Sequence, residues 1–183
     1  MKILVTGGAG GVGLATVQWM AQRGARRFVI TGRRSPNETA RVAFDALAQE
    51  GCSIEFVACD VTSSEQVSQL AARVRAAGDL DTVVHAAGVR ADGLIDALDA
   101  ESMETVVATK LAGAELLATA MAALEPNRTI YFSSIAGWVG GAGQGNYAAA
   151  NAALDALAAR RSAEGKPTLS VAWGPWQALG MTA

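Results

Sequence analysis

The chain has 183 residues, 51% of them apolar but only 5% aromatic, and its 15 Lys and Arg against 17 Asp and Glu leave a formal charge of −2. That length fits one domain with a core of its own, and the near-neutral balance argues against nucleic-acid binding by bulk electrostatics. No apolar run is expected to reach the ~18 residues of a membrane span, and no cleavable signal is expected at the start. Alanine, about a fifth of the residues, makes the apolar excess. With 20 glycines it points to helices packed closely on another layer and to tight backbone turns.

In chain order, Lys2 to Thr6 reads as a strand, followed by a glycine cluster and a helix from about Val12 to Arg23. Arg27 to Thr31 is a second strand and about Glu38 to Glu50 a second helix. Ser53 to Cys59 is a third strand, and a helix from about Ser64 to Ala77 follows, with Ser63 or Ser64 as its N-cap. Thr82 to His85 is a fourth strand, and a long helix from about Ser102 to Leu124 is stopped by Pro126. Thr129 to Phe132, Gln144 to Arg161 and Thr168 to Trp173 complete the series as strand, helix and strand. Short β-rich runs alternating with longer helices mean βαβ units. The expected fold is one α/β domain, Rossmann-like and doubly wound, with about six parallel strands and helices on both faces.

Cys52 and Cys59 bracket the third strand, which holds them roughly 20 Å apart, beyond disulfide reach. Reduced thiols and a cytoplasmic location are the expectation. One histidine leaves no zinc-ligand spacing, so no metal is expected.

The turn after the first strand reads Thr6-Gly7-Gly8-Ala9-Gly10-Gly11-Val12-Gly13. Glycines there allow a tight turn and close backbone approach to a pyrophosphate, and the helix start adds partial positive charge. An NAD site carries an acid about 20 residues further on for the ribose hydroxyls. Here the stretch is Thr31-Gly32-Arg33-Arg34-Ser35. Two guanidiniums suit a phosphate dianion and favour NADPH, unless the pair is simply solvated.

Four further segments carry a resemblance. Thr6-Gly7-x-x-x-Gly11-x-Gly13, His85-Ala86-Ala87-Gly88, Phe132-Ser133-Ser134 and Tyr147-Ala-Ala-Ala-Asn151 resemble short-chain dehydrogenase/reductases. They most resemble the ketoreductase domains of modular polyketide synthases, in order and over essentially the whole chain. Ordinary members of the superfamily place Lys four residues after the catalytic Tyr and Asn on the preceding long helix. Here Asn151 and Lys110 exchange those places, as in the synthase ketoreductases.

The resemblance implies Tyr147 as proton donor, Ser134 as orienter of the carbonyl, Lys110 as the cation that stabilises the phenolate, and Asn151 holding Lys110 and a water. It implies Asp60-Val61 against the adenine, although Asp60 can equally turn the chain. His85 would shape the strand end near the nicotinamide, with Ala86, Ala87 and Gly88 beside it. Gly174 and Pro175, in Trp173-Gly174-Pro175-Trp176, resemble the strand-end turn that passes beneath the nicotinamide, unless they form a plain Gly-Pro turn. Stereochemical fingerprints fall on Asp92, the one acid kept from a Leu-Asp-Asp triplet, on Val139, where the other group has Trp, and on Asn146. Together they point to the D-hydroxyl, or B-type, product.

The implied reaction is NADPH-dependent reduction of a β-ketoacyl thioester on acyl carrier protein, with other synthase domains as neighbours. A free-standing reductase of small ketones and a nucleotide-binding scaffold without turnover are the competing readings. Because the family continues past Gly180-Met181-Thr182-Ala183 through a lid helix and a last strand, residues 1–183 are expected to be the catalytic core of a longer reductase. The family's N-terminal structural subdomain is likewise not expected here, since Met1 opens directly on the first strand.

Overall fold

The computed structural model describes residues 1–176, so the expectation drawn at Gly180 to Ala183 lies outside the described residues. Six strands, β1 (Lys2–Thr6), β2 (Arg27–Gly32), β3 (Ser53–Ala58), β4 (Thr82–His85), β5 (Arg128–Ser134) and β6 (Thr168–Trp173), form one sheet in the order β3-β2-β1-β4-β5-β6. Every pairing is parallel, with Thr6 opposite both Thr31 and His85, and Ser134 opposite Trp173. The order reverses between β1 and β4, and a parallel sheet opens its crevice at such a point.

The helices are α1 (Gly11–Gln22), α2 (Glu38–Gln49), α3 (Ser64–Ala76), α4 (Ala100–Val107), α5 (Gly113–Met121), α6 (Ala136–Val139) and α7 (Gly145–Ala163). Local chemistry starts three of them. Asn37, Ser63 and Asp99 each accept a backbone N–H three residues on, from Ala40, Gln66 and Ser102. Strand alternation divides the core. Ile3 and Val5 face Val17, Phe28, Ile30 and Leu47 on one side, and Leu4 faces Val67, Leu70, Val83 and Leu117 on the other. Central strands β1 and β4 are buried throughout, as a sheet covered on both faces requires. Alanine lets the helices sit close: Ala21, Ala71, Ala114, Ala150 and Ala158 are all buried.

Two features depart from the sequence reading. The long helix predicted over 102–124 exists but is not uniform. A π turn, Ala108–Ala112, joins α4 to α5, and a 3-10 turn, Ala122–Leu124, ends the run at left-handed Glu125. Helix α6 was not predicted, because four residues between glycine-rich stretches carry no periodicity. The run Ala100–Leu124 is also long and apolar enough, by length and composition, to cross a membrane. This corrects the expectation that no run is of that length, and the run escapes a search for apolar residues because Glu101, Glu104, Lys110 and Glu115 interrupt it. Here it is a core helix, with Val106, Ala114, Leu117 and Met121 buried.

Candidate active site

A cleft of about 770 Å³ opens at the carboxyl ends of β1, β2 and β4. Its floor is the glycine turn. Gly7 has φ +69°, and a Cβ there would stand 2.9 Å from the backbone of Ala87. At Gly13 a Cβ would lie 2.2 Å from the Gly7 carbonyl oxygen, so only glycine lets α1 begin this close to the turn. The first intrahelical donor is Leu14, whose N–H reaches the Gly10 carbonyl at 3.0 Å. Gly10 offers no side-chain cap and the first turn has no acid, so Gly11, Val12 and Gly13, which line the cleft, keep N–H groups without intrahelical acceptors.

One wall carries Arg33 and Arg34, both exposed, with Asp60 and Val61 opposite. The backbone N–H and hydroxyl of Thr62 bond the Asp60 carboxylate and hold its pKa below the usual range, with Arg33 adding to the effect. The other wall is Ala86, Ala87, Gly88 and Val89 from the end of β4, with Thr109 and Lys110 from the π turn.

Lys110 is 4% exposed. Its Nζ donates to the Phe132 carbonyl at 2.6 Å and lies 5.6 Å from the centroid of the Tyr147 ring. Burial pushes its pKa down to about 8, against an opposing pull from Asp155 on α7. Gly88 makes room for it: a Cβ there would stand 3.0 Å from Lys110 Cε. Ser134 ends β5 half-buried, and its Oγ accepts the Ala136 N–H at 3.2 Å, which leaves the hydroxyl proton free for another acceptor.

Asn151 departs from its expected contact. Its Nδ2 donates to the Tyr147 carbonyl at 2.8 Å and not to a group on Lys110, while its Oδ1 is buried without a partner. A short amide four residues along a helix reaches the carbonyl one turn back more easily than a side chain on a neighbouring helix. Asn151 therefore braces Tyr147 from its own helix.

Several residues expected at the cofactor do not reach the cleft. Gly8 is buried against Ile30 and Val5, and its role is to let the turn lie on the sheet. Thr6 and His85 are fully buried behind the turn. Gly174 and Pro175 are exposed beyond β6 and do not line the cleft. Thr6 and His85 support residues that line it, Thr6 through the Ala87 N–H and His85 through the carbonyls of Thr109 and Lys110.

The specificity residues come together in part. Asn146 is fully buried. Its Nδ2 donates to the Ala91 carbonyl at 2.7 Å and the Ser102 carbonyl at 3.2 Å, and its Oδ1 accepts the Tyr147 N–H at 2.8 Å. Gly93 N–H bonds the Gly143 carbonyl at 2.8 Å, so the loop bearing Asp92 is stitched to the glycine-rich loop before Tyr147. Asp92 itself is exposed beside Arg90, at 3.8 Å. Val139 is 77% exposed, and the neighbouring Trp138 turns its indole N–H to Asp155 at 3.1 Å.

Sequence reasoning missed the π turn, the Phe132 carbonyl that seats Lys110, and Asp155. Backbone acceptors leave no trace in residue identity. Asp155 could have been found, since it lies eight residues past Tyr147 on one helical face.

Residues 2–178 match the KR domain family. Among curated proteins, the polyketide synthase GfsB of Streptomyces halstedii is 46% identical over 180 residues, covering 98% of this chain and 3% of that protein. The chain therefore spans a small fraction of the relatives it matches. Among solved structures, the first ketoreductase of the tylosin PKS is 44% identical at a TM-score of 0.87, covering all of this chain and 40% of that one. A structure of A-type ketoreductases from a modular polyketide synthase is 36% identical at a TM-score of 0.93, covering all of this chain and 39% of that one. With the strand order, glycine turn and Tyr147–Lys110 pairing already established, these likenesses place the chain in the KR domain family, the ketoreductase domains of modular polyketide synthases within the short-chain dehydrogenase/reductase superfamily.

Proposed function

We propose that residues 1–183 form one catalytic domain that reduces a β-ketoacyl thioester, presented by acyl carrier protein on its phosphopantetheine arm, to the β-hydroxyacyl thioester. The observation that carries the reading is a buried ammonium, Lys110, that lines a glycine-floored cleft and stands 5.6 Å from the centroid of the Tyr147 ring. NADPH fits the cleft's donor set. Bare N–H groups at the start of α1 suit the pyrophosphate, and Arg33 and Arg34 stand where a ribose phosphate needs guanidiniums. Bound there, NADPH supplies the hydride for the ketone carbon.

The chain's own residues supply the rest. The Ser134 hydroxyl donates to the substrate carbonyl and orients it. Tyr147 passes its phenolic proton to the oxygen as negative charge develops there, forming the hydroxyl. Lys110, close to the ring and poorly hydrated, stabilises the phenolate left behind. Asn151, through Tyr147's carbonyl and its own free oxygen, holds the tyrosine and a water that returns a proton.

The D-hydroxyl, B-type outcome is supported by Asp92, whose loop is stitched to the segment before Tyr147, and by Asn146, which joins both. The likeness to an A-type ketoreductase, at a TM-score of 0.93, is a likeness of fold, so the proposed product type rests on these loop residues alone. Neighbouring synthase domains and a cytoplasmic setting, with Cys52 and Cys59 both free thiols, complete the proposal.

The test is NADPH oxidation with a short β-ketoacyl thioester. Turnover lost in Tyr147→Phe while NADPH still binds supports the reading. NADPH binding without turnover in the unmodified protein would overturn it in favour of a nucleotide-binding scaffold. Chiral analysis of the product from Asp92→Ala tests the stereochemical part, and an unchanged isomer ratio would remove Asp92 from it.

A further inference from the structure

His85, the last residue of β4, has no exposed surface and does not line the cleft. Its ring is held at both nitrogens. Nε2 lies 3.1 Å from the Thr109 carbonyl and 3.1 Å from the Lys110 carbonyl, both within the π turn. Nδ1 lies 2.8 Å from the Thr6 hydroxyl oxygen. These contacts fix the tautomer. Two carbonyls can only accept, so Nε2 carries the proton, and Nδ1 then accepts from the Thr6 hydroxyl. Thr6 Oγ1 in turn accepts the Ala87 N–H at 3.3 Å. A directed chain therefore runs from the cleft wall at Ala87, through Thr6 and His85, to the backbone of Lys110. The His85 and Tyr131 rings meet edge to face, with centroids 6.3 Å apart at 87°.

A π turn widens the helix and offsets its carbonyls from their usual N–H partners, and such turns persist where another group takes the freed acceptor. Here the His85 N–H lies against two carbonyls of the turn, those of Thr109 and Lys110. The turn sets the direction in which Lys110 leaves the helix and so decides that its ammonium reaches the Phe132 carbonyl and the Tyr147 ring. We infer that His85 is a positioning residue, whose Nε2–H holds the π turn in the form that aims Lys110 at Tyr147. The consequence for turnover rests on the proposed reduction, whereas the position of Lys110 can be read without it.

Substitutions separate this role from simple space filling. His85→Gln keeps an N–H at about the reach of Nε2. His85→Phe fills the space and donates nothing. His85→Asn reaches Thr6 but not the π turn. Lys110 is read directly by competitive acetylation with acetic anhydride across pH, quantified by mass spectrometry, alongside NADPH affinity and the pH profile of kcat with a β-ketoacyl thioester.

His85→Phe is expected to raise the labelling pKa of Lys110 by at least one unit as the ammonium escapes to solvent. It should also lower kcat at least tenfold and move its pH profile, with NADPH affinity changed less than threefold. His85→Gln should return all of these to within threefold or half a unit of the unmodified protein, and His85→Asn should not. An unchanged Lys110 labelling pKa in His85→Phe overturns the inference, as does a His85→Gln that binds NADPH yet behaves like His85→Phe. If His85→Phe does not fold, the contrast between Gln and Asn decides alone. If the unmodified protein turns over no thioester, the proposed function fails, and the labelling still decides the role of His85.

Discussion

Replacing Lys110 by Met should make the protein more stable while abolishing turnover. Lys110 is 4% exposed, and burial lowers its pKa from 10.5 to about 8. Below pH 8 the ammonium is charged in both folded and unfolded chains, and the folded chain bears the whole cost of burying it. The shift corresponds to about 3 kcal/mol at 1.36 kcal/mol per unit. Methionine has a similar stem and no charge, but it leaves the Phe132 carbonyl without its lysine donor, an offset of about 1 kcal/mol. The net gain near pH 7 is about 2 kcal/mol, or roughly 4–8 °C in Tm for a chain of this size. As pH rises from 8 towards 10.5 the folded protein loses the proton first, so its penalty fades and the gain from Met shrinks. Urea unfolding of both proteins at pH 7 and pH 10 measures the two differences. A variant no more stable than the unmodified protein at pH 7, or an advantage that does not change with pH, would refute the buried-charge argument.

Three further outcomes follow from the same geometry. His85 is the chain's one histidine, and burial, with the nearby Lys110 charge, lowers its pKa to about 4 from 6.5. Its contribution to stability is therefore complete above pH 6.5 and lost as pH falls to 4, to the extent of about 3 kcal/mol, and His85→Gln should remove that part of the acid sensitivity in unfolding titrations. Gly13→Ala forces a Cβ to 2.2 Å from the Gly7 carbonyl oxygen and should cost at least about 2 kcal/mol together with NADPH binding. Gly10→Ala, with nothing within 4 Å, should stay within about 1 kcal/mol in the same melts. Arg33→Ala with Arg34→Ala should weaken NADPH binding by about 1.5–3 kcal/mol for each guanidinium that bonds the ribose phosphate and leave NADH binding nearly unchanged, as isothermal titration would record.

The order of strands and helices was legible because each element carries its own signal: apolar runs for β1 and β4, side-chain caps at Ser63 and elsewhere, and Pro126 beyond the long helix. The glycine turn was legible for a similar reason. Gly7 is demanded by its own left-handed φ and Gly13 by the Gly7 carbonyl six residues back, although the Ala87 backbone that also crowds Gly7 is distant in sequence. The roles of Gly8, Thr6 and His85 were not. A glycine facing Ile30 and a glycine facing a cleft look alike in a sequence, and only the turn's orientation on the sheet separates them.

Residue identity also determined which groups carry chemistry here. It put a tyrosine, an asparagine one turn on, a lone histidine at the end of β4 and two arginines after β2 into fixed places along the chain. Tertiary structure alone decided what each one touches. Lys110 meets the Phe132 carbonyl and the Tyr147 ring because β5 and α7 pack beside a π turn, and Asn151 turns back to its own helix instead of reaching that lysine. Local preferences act over one turn or one strand and can be read in order. The charge state of Lys110 and the tautomer of His85 depend on burial and on carbonyls from distant segments, which exist as neighbours only once the sheet has formed.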